Sequence, residues 1–320
     1  MVIGKVVRIS SIVINLAKQT NWLTFHLHTI WLITRNDLKS IVLPETAFGT
    51  FSALSGPLLT TNNNPSLTVI LARIPRVVLW NWLNVLIFDV ANQRLPNSVL
   101  EDSVNKPWRA LPSRRITPSS ARRLLLFLIP VVFFATIYLG GVEETVLMMV
   151  LTWMYNDLEG ADENYIARNL INCAGFMCYS SGTTIVAAGY GQHTLSSRAY
   201  TWLGIVGGIV FSTLQMQDMS DVEGDKARGR RTLPIVHGDR AARWSIAIPV
   251  TIWSFFCPWF WEVEKTAWVT SLAVGGLLVW RVLMLRSVPA DKATWKVWCF
   301  WTIVLYVLPL FKNHSVFVRF

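Results

Sequence analysis

The feature that most constrains this chain is the recurrence of long apolar blocks. Stretches such as 122–139 and 266–285 carry almost no charge beyond their ends. A helix of about twenty apolar residues spans the ~30 Å hydrocarbon layer of a bilayer. Only helices and closed barrels can cross lipid, because every backbone N–H and C=O must find a partner within the protein. These blocks are too long for barrel strands, which need only about ten residues. The balance of 52% hydrophobic against 15% charged residues excludes an ordinary soluble domain. The fold class is therefore an all-α polytopic membrane protein.

Nine transmembrane helices are expected, at 38–59, 74–93, 122–139, 145–157, 167–188, 200–217, 242–261, 266–285 and 295–310. Their layout suggests two helical-bundle halves around a central cavity. Residues 22–34 are aromatic and apolar but too short to span, which predicts an interfacial helix. The chain then divides into an N-terminal segment, 1–34, and a membrane domain, 35–320. Residues 1–20 carry Lys5, Arg8 and Lys18 without an acid, so a targeting signal there stays open.

The loops at 105–123 and 226–243 each carry six Lys or Arg, whereas 60–66 and 140–144 carry none. The positive-inside rule puts both basic loops in the cytoplasm. The net charge of +10 thus reflects topology and not a nucleic-acid partner. The C-terminus and its sequon Asn313-His314-Ser315 fall on the lumenal side, and the endoplasmic reticulum is the expected membrane. Four Cys and five His show no ligand spacing, and the thiols read as buried and free.

Chemistry concentrates where the sixth apolar block ends. If its helix continues, Asp218, Asp221 and Asp225 fall at i, i+3 and i+7, on one face. Three carboxylates so close repel one another unless a hard cation and a more anionic ligand sit among them. Oxygen ligands suit Mg²⁺, which commonly joins carboxylates to substrate phosphates. The plainer alternative is a solvated helix end. On the second block Asn81, Asn84 and Asn92 form a polar stripe with Phe88 between them. Amides within a membrane face a cavity or another helix. Beyond the stripe lie Glu101 and Asp102, further oxygen donors.

The run Asn92-Gln93, then Asp102-Ser103-Val104-Asn105-Lys106-Pro107, then Asp218 to Asp225 and Arg231-Thr232-Leu233-Pro234 resembles the UbiA superfamily of intramembrane prenyltransferases. Ser98 stands where that family usually has a further Asp, and the first motif is stretched. The string Glu101-Asp102-x-x-Asn105-Lys106-Pro107-Trp108-Arg109 is similar to the fungal UbiA-type terpene cyclases. The resemblance implies a prenyl diphosphate held through Mg²⁺ by Asn92, Glu101, Asp102, Asp218, Asp221 and Asp225. Lys106, Arg109, Lys226 and Arg228 flank these acids and are candidates to hold the diphosphate. Asn84, Phe88 and Phe211 are candidates to line the cavity for the prenyl tail.

Arg168, with Asn156 and Asp157, and the group Arg35, Asn36, Asp37 and Lys39, lie at the same membrane side as further candidates. Arg114, Arg115, Arg230 and Arg231 read as topogenic charges. The expected activity is cyclisation of farnesyl diphosphate to a sesquiterpene. A prenyltransferase with an aromatic or other small acceptor is the alternative. A transporter or scaffold fits less well, because the acids sit at helix ends and not at the membrane midplane. No obligate protein partner is expected.

Overall fold

The computed structural model describes residues 22–312. The N-terminal targeting question and the sequon at Asn313 lie outside them. No strand forms among the described residues; an isolated bridge joins Thr60 to Leu195.

Helix α1, residues 22–34, turns through Arg35 and Asn36 into a π-helical stretch, Leu38–Val42, which leads into α2, Leu43–Leu54. Then come α3, Leu67–Gln93, the short α4, Pro96–Asn105, and α5, Pro118–Leu139. Helices α6, Val142–Asn156, α7, Gly160–Glu163, and α8, Tyr165–Ala188, follow. Helix α9, Ser197–Thr213, tightens into a 3-10 stretch, Leu214–Ser220, before α10, Val222–Arg228. Helices α11, Leu233–Trp261, α12, Lys265–Met284, α13, Val288–Tyr306, and α14, Leu308–Lys312, complete the order.

The ends of these helices follow local chemistry. Thr117 caps α5 by accepting from Ser120 N, with Pro118 in the first turn. Asn164 caps α8 through two backbone N–H groups, those of Ile166 and Ala167. The turn from α5 to α6 is Gly140-Gly141, both at positive φ, which glycine adopts without strain.

Six helices are long and apolar enough to cross a membrane: α3, α5, α8, α9 with its 3-10 extension, α12, and α13 with α14. The expected count of nine is higher, and the difference has a physical origin. Helix α6 has fifteen residues, short for a bilayer. Helix α2 has twelve and buries Glu45, which accepts hydrogen bonds from Ser180 Oγ and Tyr306 Oη. Helix α11 is long, but it breaks at Gly238 and carries Asp239, Arg240 and Arg243 in its first half, so its apolar stretch is shorter than the helix.

The buried apolar residues fall into a large and a small cluster. The large one joins α2, α3, α8, α9, α11, α12 and α13. The small one sets α1 and α5 against α3. Small residues let the central helices approach closely, as is usual in membranes. A Cβ on Gly182 would sit 2.1 Å from the Trp80 ring, and one on Gly49 would sit 2.5 Å from the Thr183 backbone. On α1, Leu32 and Ile33 are buried while Trp22, Phe25 and Trp31 are exposed, the two-faced pattern of an interfacial helix.

Candidate active site

The loop elements α4, α7 and α10 gather at one end of the bundle. Helix α9 stops being α-helical before its acids, so Asp218, Asp221 and Asp225 do not share one continuous helical face. Asp218 lies in the 3-10 stretch, Asp221 is the residue before α10, and Asp225 is within it. A break there lets the three carboxyls aim at different partners, which relieves their repulsion.

Asn105 laces the two motifs together. Its Nδ2 donates to Asp221 O at 2.9 Å, and its Oδ1 accepts from Gly224 N at 3.1 Å. A Cβ on Gly224 would lie 2.1 Å from Asn105 Nδ2, so only glycine admits this contact. Around the clasp, acids and bases pair, most of them across segments far apart in sequence. Lys106 Nζ donates to Asp221 Oδ2 at 2.6 Å, and Arg109 Nη1 donates to both oxygens of Asp102 at 2.8 and 2.9 Å. Arg168 donates to Asp218 and, through Nε, to Tyr155 Oη. Arg228 reaches Ser98, Glu101 and Asp162, and Arg230 reaches Glu101, Asp162 and Asp225.

Ser98, where the family that the motifs resemble usually carries an Asp, accepts from Arg228 Nη1 at 2.7 Å. Glu101 carries the charge for that corner, facing both arginines.

Below this charged rim is a cavity of about 400 Å³. Along α8 it is lined by Arg168, Ile171, Gly175, Phe176 and Tyr179. The last lies eleven positions after the first, about 16 Å along the helix axis. Phe88, Met148, Leu151, Leu214 and Trp295 supply the other apolar walls. The π-helical stretch brings Asp37, Ser40 and Ile41 to the same wall, and such irregular turns often occur at functional sites.

Burial and pairing set the ionisation of the rim. Burial alone would raise Asp221, but the Lys106 ammonium beside it holds its carboxyl below the ordinary range. Asp102 moves up, because burial outweighs the guanidinium of Arg109. Asp225 is pushed up to about 7, first by burial and then by the charges of Asp218 and Glu101, with Arg168 and Arg230 only partly offsetting them.

The donor set fits a hard cation. Asp218 Oδ2 and Asp225 Oδ2 are buried and no hydrogen bond reaches either. No group of three or more His, Cys, Asp or Glu is preassembled around a point among the described residues. Ligand oxygens would have to complete the shell, which is how Mg²⁺ is commonly bound.

The structure brings most of the expected residues together and sets others apart. Asn92, Glu101, Lys106, Arg109, Arg168, Asp221, Asp225 and Phe88 line the cavity, as do Arg35, Asn36, Asp37 and Lys39. Asp102 and Asp218 lie just behind it, 2% and 1% exposed, each held by its arginine. Phe211 is not at the cavity: it is 40% exposed on the outer face of α9. Asn84 donates to Trp80 O within its own helix, and Asn81 donates to Val42 O, so these amides serve helix packing. Lys226 points away and pairs with Glu223 in solvent, and Arg228 faces acids, not the cavity. Asn156 donates to Thr152 O in its own helix, and Asp157 pairs with Arg94 at the exposed edge.

Arg230 is a correction of the opposite kind. It is buried among three carboxylates and lines the cavity, because α10 turns the chain inward at Gly229. Asp162, Gly224 and Asp89 escaped sequence reasoning. Only Asp89 had a usable signal, being a lone acid within an apolar helix.

One consequence concerns pH. A carboxyl raised from 3.8 to about 7 in the fold retains a proton that the unfolded chain releases. Stability of the ligand-free protein is therefore expected to fall as pH rises across that window and to level above it. Asp225→Asn should flatten this dependence and unfold at a higher temperature than the wild type at pH 8. Thermal unfolding in detergent across pH checks it; an unchanged slope would contradict the assignment.

Comparison with known proteins agrees with the geometry. The chain is 30% identical to the fumagillin beta-trans-bergamotene synthase of Aspergillus fumigatus over 90% of its own length and 93% of that protein's. It is 28% identical to the somaliensene A/B synthase of Streptomyces somaliensis, covering 88% of this chain and 92% of that one. The fold matches a UbiA homologue from Archaeoglobus fulgidus, solved with GPP and Mg²⁺, at a TM-score of 0.61 and 10% identity, covering 88% and 99% of the two chains. Residues 49–304 match the UbiA prenyltransferase family. The protein belongs to that family, and it is an enzyme of the prenyl-diphosphate-using kind.

Proposed function

We propose that the protein is a Mg²⁺-dependent membrane terpene cyclase that ionises farnesyl diphosphate and closes it to a sesquiterpene. The observation that carries this reading is a single cavity with a charged rim and an apolar, aromatic interior. Its volume of about 400 Å³ is near the lower end of the ~300–1,000 Å³ usual for small-molecule sites. That suits one folded prenyl chain better than a chain together with an acceptor. The similarity to a fungal bergamotene synthase over almost its whole length supports the same reading.

Asp218, Asp221 and Asp225, with Asn92, Glu101 and Asp102, would hold the cation. When bound, Mg²⁺ neutralises charge on the departing diphosphate. The protein's own groups do the rest. Lys106, Arg109, Arg168 and Arg230 converge on the rim and offer N–H donors to phosphate oxygens. The walls beneath keep water from the allyl cation, and the faces of Phe88, Phe176 and Trp295 stabilise positive charge passing over them. We place the protein in the endoplasmic reticulum, with the rim facing the cytoplasm and all nine helical traverses crossing the bilayer.

Transfer of the prenyl group to a small acceptor is the second reading. It is favoured by 29% identity to a polyprenyl transferase of Hericium erinaceus, over 66% of this chain and 68% of that one.

Microsomes holding the protein, given farnesyl diphosphate and Mg²⁺ without an acceptor, should release a sesquiterpene hydrocarbon, read by mass spectrometry. Chelating Mg²⁺ should stop it, and Asp221→Ala should lower turnover by about 10²-fold or more. Product that forms only with an acceptor present would establish the transferase.

Gly175 offers a test of the cavity's role. It lines the wall, and a Cβ there would meet nothing within 4 Å. Gly175→Leu should therefore fold normally while shortening the chamber. Turnover of the fifteen-carbon substrate is expected to fall while that of the ten-carbon analogue holds or rises. Equal loss on both would show that the chain binds elsewhere.

A further inference from the structure

Cyclisation to a hydrocarbon ends in a proton loss, and the residues that receive the proton are not those that receive the diphosphate. We propose that Asp37 and Asp89 form the proton-accepting pair of this chamber, an inference that rests on the cyclase reading. In that step a C–H bond next to the cationic carbon breaks. Its electron pair becomes the new C=C bond, and the proton passes to an oxygen of Asp37.

The carboxyls around the cavity fall into two classes. Glu101, Asp102, Asp218, Asp221 and Asp225 each have an arginine or lysine within 4.0 Å. Asp37 and Asp89 make no such ion pair among the described residues. Asp37 lines the cavity and is half-buried, accepting from Ser40 Oγ at 2.8 Å. Asp89, on α3, is 0% exposed, and no donor reaches either of its oxygens. The two carboxyls lie within hydrogen-bonding reach of each other.

A carboxylic acid O–H donates a hydrogen bond to a carboxylate oxygen beside it. Asp37 can thus take a proton from the chamber and share it with Asp89, and its half-exposed position lets it return that proton to water. The groups that face the pair are Arg109, Lys39, Tyr179, Cys299 and Asp102. Arg109 spends its hydrogen bonds on Asp102, so it contributes field to the pair and not a bond. An acid within an apolar membrane helix, here one turn from the end of α3, is costly unless it serves a function, and proton relays are among those functions.

The test separates ionisation from deprotonation. Purified protein in lipid nanodiscs is given farnesyl diphosphate and Mg²⁺, and released diphosphate and hydrocarbon are both quantified. For Asp37→Asn, diphosphate release should stay within about threefold of wild type. The hydrocarbon-to-diphosphate ratio should fall by on the order of 10²-fold, with water-captured alcohols making up the difference. Asp37→Glu should restore part of the ratio, which a packing role would not predict. Asp89→Asn, read in the same way, covers the case in which Asp37→Asn does not accumulate. An unchanged ratio, or parallel loss of both products, overturns the proposal; the unchanged ratio would give the proton to the departing diphosphate. A wild type that releases diphosphate only when an acceptor is added overturns the cyclase reading itself, a separate outcome.

Discussion

The structure depends on one electrostatic constraint: charges at the end of the bundle are buried and must be matched. An unpaired buried ion is costly, and a buried pair roughly breaks even only when its geometry is good. Here Arg168 meets Asp218, Lys106 meets Asp221, Arg109 meets Asp102, and Arg228 and Arg230 share Glu101 and Asp162. None of these pairs is local in the way of a helical i, i+4 pair. All but Arg109–Asp102, seven residues apart, tie together segments fifty or more residues apart, so the rim closes over the cavity through charge as much as through packing. On the proposed function, the same pairs would exchange partners when the substrate binds. A diphosphate presents the oxygens that the basic groups seek, and a divalent cation presents what the carboxylates seek.

Close packing makes that arrangement geometrically strict. Asn105 can bridge Asp221 O and Gly224 N only because position 224 lacks a side chain. Deeper in the bundle, Gly182 against Trp80 and Gly49 against the Thr183 backbone bring α2, α3 and α8 together behind the cavity wall. The open space beside Gly175 contrasts with these contacts, since that glycine faces the chamber and not a helix.

Much of this was legible in the residues. Apolar blocks predicted membrane helices, and the acids of 218–225 with the Asn105-Lys106-Pro107 loop predicted a two-part charged site. What escaped notice depended on chain direction at breaks in regular structure. Phe211 would share the face of Asp218 only if α9 ran on unchanged; with the 3-10 turn after Thr213 it lies on the outer face. Arg230 looked like one more topogenic charge, because no pattern announces that Gly229, at positive φ, folds it inward onto Glu101 and Asp162. The amide stripe showed the opposite failure: Asn81 and Asn84 satisfy backbone carbonyls instead of facing the cavity. Asp89 was readable as a lone intramembrane acid, but its partner Asp37 lies fifty-two positions away on an irregular turn.

The central claim is that paired acids and bases at the rim exchange partners only when cation and diphosphate arrive together. Calorimetric titration of the purified protein with inorganic diphosphate, with and without Mg²⁺, measures this coupling directly. Each ligand alone would have to break ion pairs and leave one member uncompensated, whereas the two together replace both. The account predicts weak binding of either alone and a gain of at least about tenfold in diphosphate affinity when Mg²⁺ is present, a coupling of ~1.4 kcal/mol or more. The gain should be lost in Asp221→Ala. Diphosphate affinity that is indifferent to Mg²⁺ in the wild-type protein would contradict it.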